Sequence, residues 1–132
     1  MTTRQKKALF PDGVDPKQIK ITEEGIYSVC RPNHADAISR SIKYHLTGER
    51  VVITDATANV GGNTINFAKH FTRVNAVECN PKNYEALNHN VRLYKLRNVR
   101  TALADYTKIY SDLKQDVVYI DPPWGEIGRA HV

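Results

Sequence analysis

Two cysteines among 132 residues are too few for a disulfide framework. Cys30 and Cys79 also lack the spacing of a metal-ligand cluster, so a reducing interior and no metal are expected. No apolar run is long enough to span a bilayer, and the N-terminus does not read as a signal peptide. A soluble, intracellular protein with no membrane partner is therefore expected. The chain has no repeats and no low-complexity tract, and its length allows one domain at most, with room for a core. Acidic residues are in deficit: 14 Asp and Glu against 19 Lys and Arg leave a net charge of +5 and a pI near 9.3. That balance favours a polyanionic partner without proving one. The basic residues gather at Arg4, Lys6, Lys7, Lys17 and Lys20, and again at Arg92, Lys95, Arg97 and Arg100. Each run also reads as a solvated face.

What is present alternates. Residues 1–20 are polar, with Pro11, Gly13 and Pro16 as breakers, and read as a flexible arm or a substrate-contacting extension. Asn33 can cap a helix whose Ala35, Ile38, Ile42 and Leu46 share one face, with Gly48 at its end. Val51–Ile53 reads as a strand, followed by a helix with Ile65, Ala68 and Phe71 at helical spacing. Val74–Val77 is a second strand. Asn80-Pro81 opens another helix, striped by Tyr84, Leu87, Val91 and Tyr94. Val99–Leu103 and Val117–Ile120 complete four strands. Short apolar strands separated by amphipathic helices predict an α/β fold, a parallel sheet with helices on both faces.

Ligands of such sheets bind beyond the carboxyl ends of the strands. Here those ends read Asp55, Glu78, Asp105 and Asp121. One acidic strand end is unremarkable as a polar terminus; four in succession suggest a site. Asp121-Pro122-Pro123-Trp124-Gly125 is the most informative stretch. Two adjacent prolines have no N–H to donate, yet their carbonyls still accept. Asp121 and the Pro122 carbonyl can therefore receive an exocyclic NH2 while the Trp124 ring lies on the face of a planar base. Taken alone, the stretch also reads as a strand ending in a proline-rich turn.

The loop after Asp55 runs Ala56-Thr57-Ala58-Asn59-Val60-Gly61-Gly62-Asn63-Thr64. Its glycines permit close backbone approach, and the following helix can offer N–H groups to a carboxylate. The spacing does not match G-x-G-x-x-G, which disfavours a dinucleotide. Glu78 is placed to hold ribose hydroxyls and Asp105 an adenine amino group. A nucleoside with an amino-acid tail fits better, and this points to S-adenosyl-L-methionine. Methyl transfer from it needs mainly alignment of an acceptor nitrogen and exclusion of water.

On these residues the chain resembles the trimethylguanosine synthase family, RNA cap guanine-N2 methyltransferases of the Rossmann-like class I type. Three stretches carry the likeness: Ile19–Val29, which is similar to the family's segment ahead of the fold; Asp55-Ala56 with Val60–Thr64 and Phe67-Ala68; and Pro122–Gly125. The resemblance covers roughly residues 19–125. It implies hypermethylation of a 7-methylguanosine cap at the exocyclic N2 amine, with capped RNA as partner. Asp121 and Pro122 by the chemistry above, with Trp124, are placed at the reacting amine, and the resemblance assigns Tyr27, Ser28, Pro123 and Trp124 to the substrate. Asp55, Ala56, Thr57, Gly61, Gly62, Asn63, Thr64, Glu78, Cys79, Asp105 and Tyr106 are assigned to the cofactor. Trp124 would stack on the cationic 7-methylguanine. The implied organisation is a basic arm and closing segment over residues 1–32, a partial methyltransferase domain over 33–125, and a tail over 126–132.

The chain also departs from the family pattern. Asp121 stands where the cellular members usually have Ser, Asn59 replaces the first glycine of the loop, and Ile26 sits where an aromatic residue is usual. Asp before Pro-Pro resembles methyltransferases of adenine N6 or of internal guanine N2, which keeps an RNA or DNA base as alternative substrate. A catalytically dead cofactor- or RNA-binding module is the third possibility. Glu126–Val132 resembles the conceptual translation of sequencing-adapter read-through. It is expected not to be natural protein, with the later strands of the sheet missing. A sheet so shortened would leave an edge open, and residues 1–132 alone are expected to be unstable or inactive.

Overall fold

The computed structural model describes residues 1–121. Four short strands pair in parallel in the order β3-β2-β1-β4. They are β1 (Val52–Asp55), β2 (Arg73–Glu78), β3 (Val99–Leu103) and β4 (Val117–Tyr119). From β1 the chain steps outward to β2 and β3, then returns to place β4 on the other side of β1. The carboxyl ends of β1 and β4 thus flank the point where the strand order reverses, which is where such sheets open a ligand crevice.

Register decides which side chains meet the helices. Ile53 lies opposite Val74 and Val117, and Val74 opposite Val99, so these four share one face. That face packs on Phe67 of α4 (Gly62–His70), on Phe71 at its C-cap, and on Ile38 and Ile42 of α3 (Pro32–Tyr44). Leu87 and Val91 of α5 (Pro81–Leu93) cover Ala76 and Val99 beside it. The other face begins with buried Thr54, whose hydroxyl accepts from Asn75 Nδ2 at 3.2 Å. The β3–β4 connection, which carries α6 (Tyr106–Ile109), supplies the Lys114 carbonyl to the same amide at 3.0 Å.

The N-terminal residues are not a flexible arm. Residues 3–9 form α1 (Thr3–Leu9), closed by a capping box between Thr2 and Gln5. Phe10 and Ile19 are each only 2% exposed and join Val60, Ile65 and Ala86 in one cluster. Asn90 of α5 fixes the segment further. Its Oδ1 accepts from Lys20 N at 2.9 Å, and its Nδ2 donates to the carbonyls of Lys20 and Val60, both at 2.8 Å. Two apolar side chains and one buried amide outweigh the polar composition that predicts an arm.

Two helix boundaries also differ from expectation. α3 starts at Pro32 after Arg31, so Asn33 lies inside the first turn and its Oδ1 accepts only from His34 N. The helix ends at Tyr44, ahead of Gly48. By contrast Asn80 caps α5 as expected, its Oδ1 accepting from Lys82 N and Asn83 N.

Candidate functional site

The loop joining β1 to α4 is the base of the site. Ala56 N donates to the Tyr119 carbonyl and Ala58 N to the Val77 carbonyl, both at 2.9 Å, so the loop is tied to the ends of β4 and β2. Asn59 adopts φ +55°, the left-handed conformation that Asn tolerates better than most side chains. Gly61 follows at φ +106°, and a Cβ there would sit 3.2 Å from Leu87 Cδ1. No side chain caps the start of α4, and a helix start without such a cap is a common place for an anion.

The four acidic strand ends divide into two roles. Asp55 is 1% exposed and sits beneath the loop. Its carboxylate accepts from Thr64 Oγ1 at 2.9 Å and from Thr57 N at 3.3 Å. Asp55 is therefore a fastening between β1, the loop and α4. Glu78, Asp105 and Asp121 instead line one cleft of about 410 Å³. Glu78 Oε1 accepts from Asn59 N at 2.8 Å and Oε2 from Asn80 N at 2.9 Å. Each oxygen retains a lone pair for a ligand hydroxyl. Asp105 caps α6, accepting from Thr107 N at 2.9 Å and Thr107 Oγ1 at 2.7 Å. Asp121 is held at the rim by its own amide, which donates to Thr57 Oγ1 at 2.7 Å.

Of the residues expected at a cofactor, Ala56, Thr57, Glu78, Cys79, Asp105 and Tyr106 line this cleft. Gly61, Gly62 and Thr64 are buried in the loop and the start of α4, and Asn63 is half-buried beside them, its Nδ2 3.5 Å from the Tyr119 hydroxyl. The lining also includes Asn59 of the expected cofactor loop, Glu24 of the expected closing segment, and Asn80, Ala104, Thr107 and Ile120, which sequence reasoning did not assign to the site. Most directly adjoin an expected residue in sequence. Glu24 is different, because it arrives from α2 (Glu23–Ser28) through the fold, 3.4 Å from Asn80 Nδ2. Pro122, Pro123 and Trp124 lie outside the described residues, as do the side chains of Tyr27 and Ser28.

The segment before the sheet closes over the loop. A Cβ on Gly25 of α2 would lie 2.9 Å from Val60 Cγ1, so only glycine permits this approach. The far side of the segment comes near the end of β4, where Cys30 feels the charge of Asp121. Burial pushes the Cys30 thiol up, and the nearby Asp121 charge adds to that. The Cys79 thiol is raised by burial first and by Glu78 second. The hydroxyl and amide of Thr107 hold Asp105 below the usual carboxylate range. Among the described residues no group of three His, Cys, Asp or Glu is placed to hold a metal ion, and no helix is long and apolar enough to cross a membrane.

Asp55 gives the site a pH signature. Burial pushes its carboxyl from 3.8 up to about 7, against the hydrogen bonds from Thr64 and Thr57, while Glu78 and Asp121 add repulsion. Below 3.8 the group is protonated in both folded and unfolded chains. Between the two values the folded chain holds a proton that the unfolded chain has lost. The stability this group contributes is therefore complete in acid and is lost as pH rises through about 7. Asp55→Asn keeps one acceptor for Thr57 N and offers an NH2 to Thr64 Oγ1. Urea unfolding from pH 4 to 8 is expected to lose a slope of up to about 1.4 kcal/mol per pH unit in this variant. An unchanged slope would mean that other groups govern the pH dependence.

The comparisons with known proteins agree with this architecture. Residues 50–130 match the family model described as RNA cap guanine-N2 methyltransferase. An uncharacterized protein of Acanthamoeba polyphaga mimivirus is 46% identical over 80 residues, 58% of this chain and 31% of that protein. The trimethylguanosine synthase of Schizosaccharomyces pombe is 30% identical over 106 residues, 75% of this chain and 43% of the relative. The chain thus spans less than half the length of these curated relatives. Among solved structures, a precorrin-6y methyltransferase from Geobacter metallireducens superposes with a TM-score of 0.67 at 22% identity, covering 87% of this chain and 59% of that one. At that identity the likeness is one of fold.

Proposed function

Because the chain belongs to the RNA cap guanine-N2 methyltransferase family, we propose that it takes part in methyl transfer from S-adenosyl-L-methionine to the exocyclic N2 amine of a 7-methylguanosine cap. The observation that carries this reading is the convergence of Glu78, Asp105 and Asp121 on one cleft at the point where strand order reverses. The residues suit such a cofactor. The cleft is of small-ligand size, and the buried Asn59 Oδ1 beside Glu78 has no hydrogen-bond partner among the described residues. Glu78 would hold the ribose, Asp105 the adenine amine, and the uncapped start of α4 the amino-acid carboxylate. When bound, the cofactor supplies an electrophilic methyl group on a sulfonium.

The work left to this chain is positional. Asp121, fixed at the end of β4 by Thr57, would accept an N–H of the guanine amine and hold it at the cleft mouth. Trp124 would lie against the ring of the cationic base. α2 would exclude water from above, since Gly25 brings it onto Val60. Asp121 supports a second reading, in which an adenine or guanine inside RNA or DNA is the acceptor and must be turned out of its stack.

Transfer of labelled methyl to a 7-methylguanosine cap analogue, to uncapped RNA and to adenine-bearing oligonucleotides separates the two. Labelling of the cap analogue alone is the expected result. Labelling of the oligonucleotides alone would replace the cap reading with the second. Binding of cofactor with no transfer to any acceptor would leave a binding module.

A further inference from the structure

A second cleft, of about 790 Å³, lies between the N-terminal segment and α5, away from the strand ends. Four lysines and one carboxylate line it: Lys6 of α1, Lys17 and Lys20 of the segment that follows, and Lys82 and Glu85 of α5, so positive charge prevails. Among the described residues none of these ammonium groups has an ion-pair partner, the ion pairs being confined to Asp36 with Arg40 and His70. Sequence distance hides this cluster, because Lys82 joins the N-terminal lysines only once the segment docks on α5. The docking is specific. The Tyr94 hydroxyl donates to the Pro11 carbonyl, His89 Nε2 lies 2.6 Å from the Gln18 carbonyl, and Asn90 brackets Lys20. The lysine stems therefore project from a fixed frame rather than from a mobile tail.

The basic cleft adjoins the candidate site. Thr22 and Lys82 line the one, while Glu24 and Asn80, a short step along the same two segments, line the other. Hydrogen bonds between Thr22 and Asn83 and between Asn80 and Glu24 hold that shared ridge together. A chain with one nucleotide in the strand-end cleft would meet these lysines as it leaves.

We propose that the cleft lined by Lys6, Lys17, Lys20 and Lys82 binds the sugar–phosphate backbone of the RNA that carries the acceptor nucleotide. The inference rests on the reading above in taking RNA as the partner. It adds a contact surface that a free cap nucleotide is too short to reach. Lysines of this kind neutralise phosphates and release counterions without reading sequence, so the binding weakens steeply with salt.

The test is fluorescence anisotropy of the 132-residue chain with an uncapped, unstructured RNA oligonucleotide across a salt series. A cap analogue without RNA is titrated in parallel. Lys17→Ala/Lys20→Ala/Lys82→Ala is expected to lose at least about tenfold in RNA affinity at 0.1 M salt, with the salt slope shallower by about 0.7 per lysine removed. Its cap-analogue affinity should be unchanged, and the Lys→Arg triple variant should bind RNA as the wild type does. Equal RNA affinity and slope in wild type and Ala variant, or displacement of RNA by an acidic peptide at equal charge, would overturn the proposal. Lysine-dependent RNA binding without any cap-analogue binding would overturn the cap reading and leave this surface standing.

Discussion

Glu78→Ala is expected to weaken binding of S-adenosylhomocysteine, the demethylated cofactor, by at least about 100-fold, which corresponds to ~2.7 kcal/mol. Two losses combine. The carboxylate would no longer be present to accept ligand hydroxyls, and two backbone amides would lose their acceptor. Asn59 N and Asn80 N both donate to Glu78 in part-buried hydrogen bonds, each worth about 0.5–1.5 kcal/mol, more for a charged acceptor. Asn59 is held in a left-handed conformation and Asn80 caps α5, so both the loop and the helix start would loosen. Urea unfolding is therefore expected to show a loss of about 1–3 kcal/mol. Glu78→Gln should fall between, because its carbonyl serves one amide while its NH2 faces the other donor. Calorimetric titration on variants with wild-type circular dichroism checks the ligand term. Undiminished affinity in Glu78→Ala would remove this residue from the cofactor site.

Trp124→Ala should act on the other substrate. In an active protein that carries this stretch, it is expected to lower kcat/KM for the 7-methylguanosine cap analogue by about 100-fold or more while cofactor affinity stays the same. A desolvated cation–π contact contributes roughly 2 kcal/mol, and base stacking on an aromatic ring about 1–3 kcal/mol. Trp124→Phe retains a ring of weaker quadrupole and should recover part of the loss. Discrimination between methylated and unmethylated guanine is the sharper readout, because only the methylated base carries the positive charge. If the Ala variant keeps the wild-type preference for the methylated cap, Trp124 is not the residue that recognises it.

The acidic strand ends were legible in the sequence because each follows an apolar run that must be buried, and a parallel strand has one carboxyl end. Asn80-Pro81 was legible for a similar local reason, since a cap and a first-turn proline act within a few residues of each other. Asn59 was readable as a glycine substitute for the same reason, and its φ of +55° agrees. Asn33 was misread because the Pro32 next to it starts the helix, which puts the cap at Arg31, two positions earlier.

The sequence by itself thus determined the parallel α/β fold, the acidic residues at its strand ends, and the family, through the loop after Asp55 and the stretch around Trp124. All of these are short-range features, encoded by periodicity and by neighbours in the chain. Only the tertiary structure decided that Asp55 is a buried fastening while Glu78, Asp105 and Asp121 share the cleft, since burial depends on which distant segment lies on top. The same holds for the N-terminal segment, which Phe10, Ile19 and Asn90 turn from a polar arm into part of the core. Docking of that segment also brings Lys82 to Lys17 and Lys20, a juxtaposition of charge that depends on packing between segments far apart in sequence.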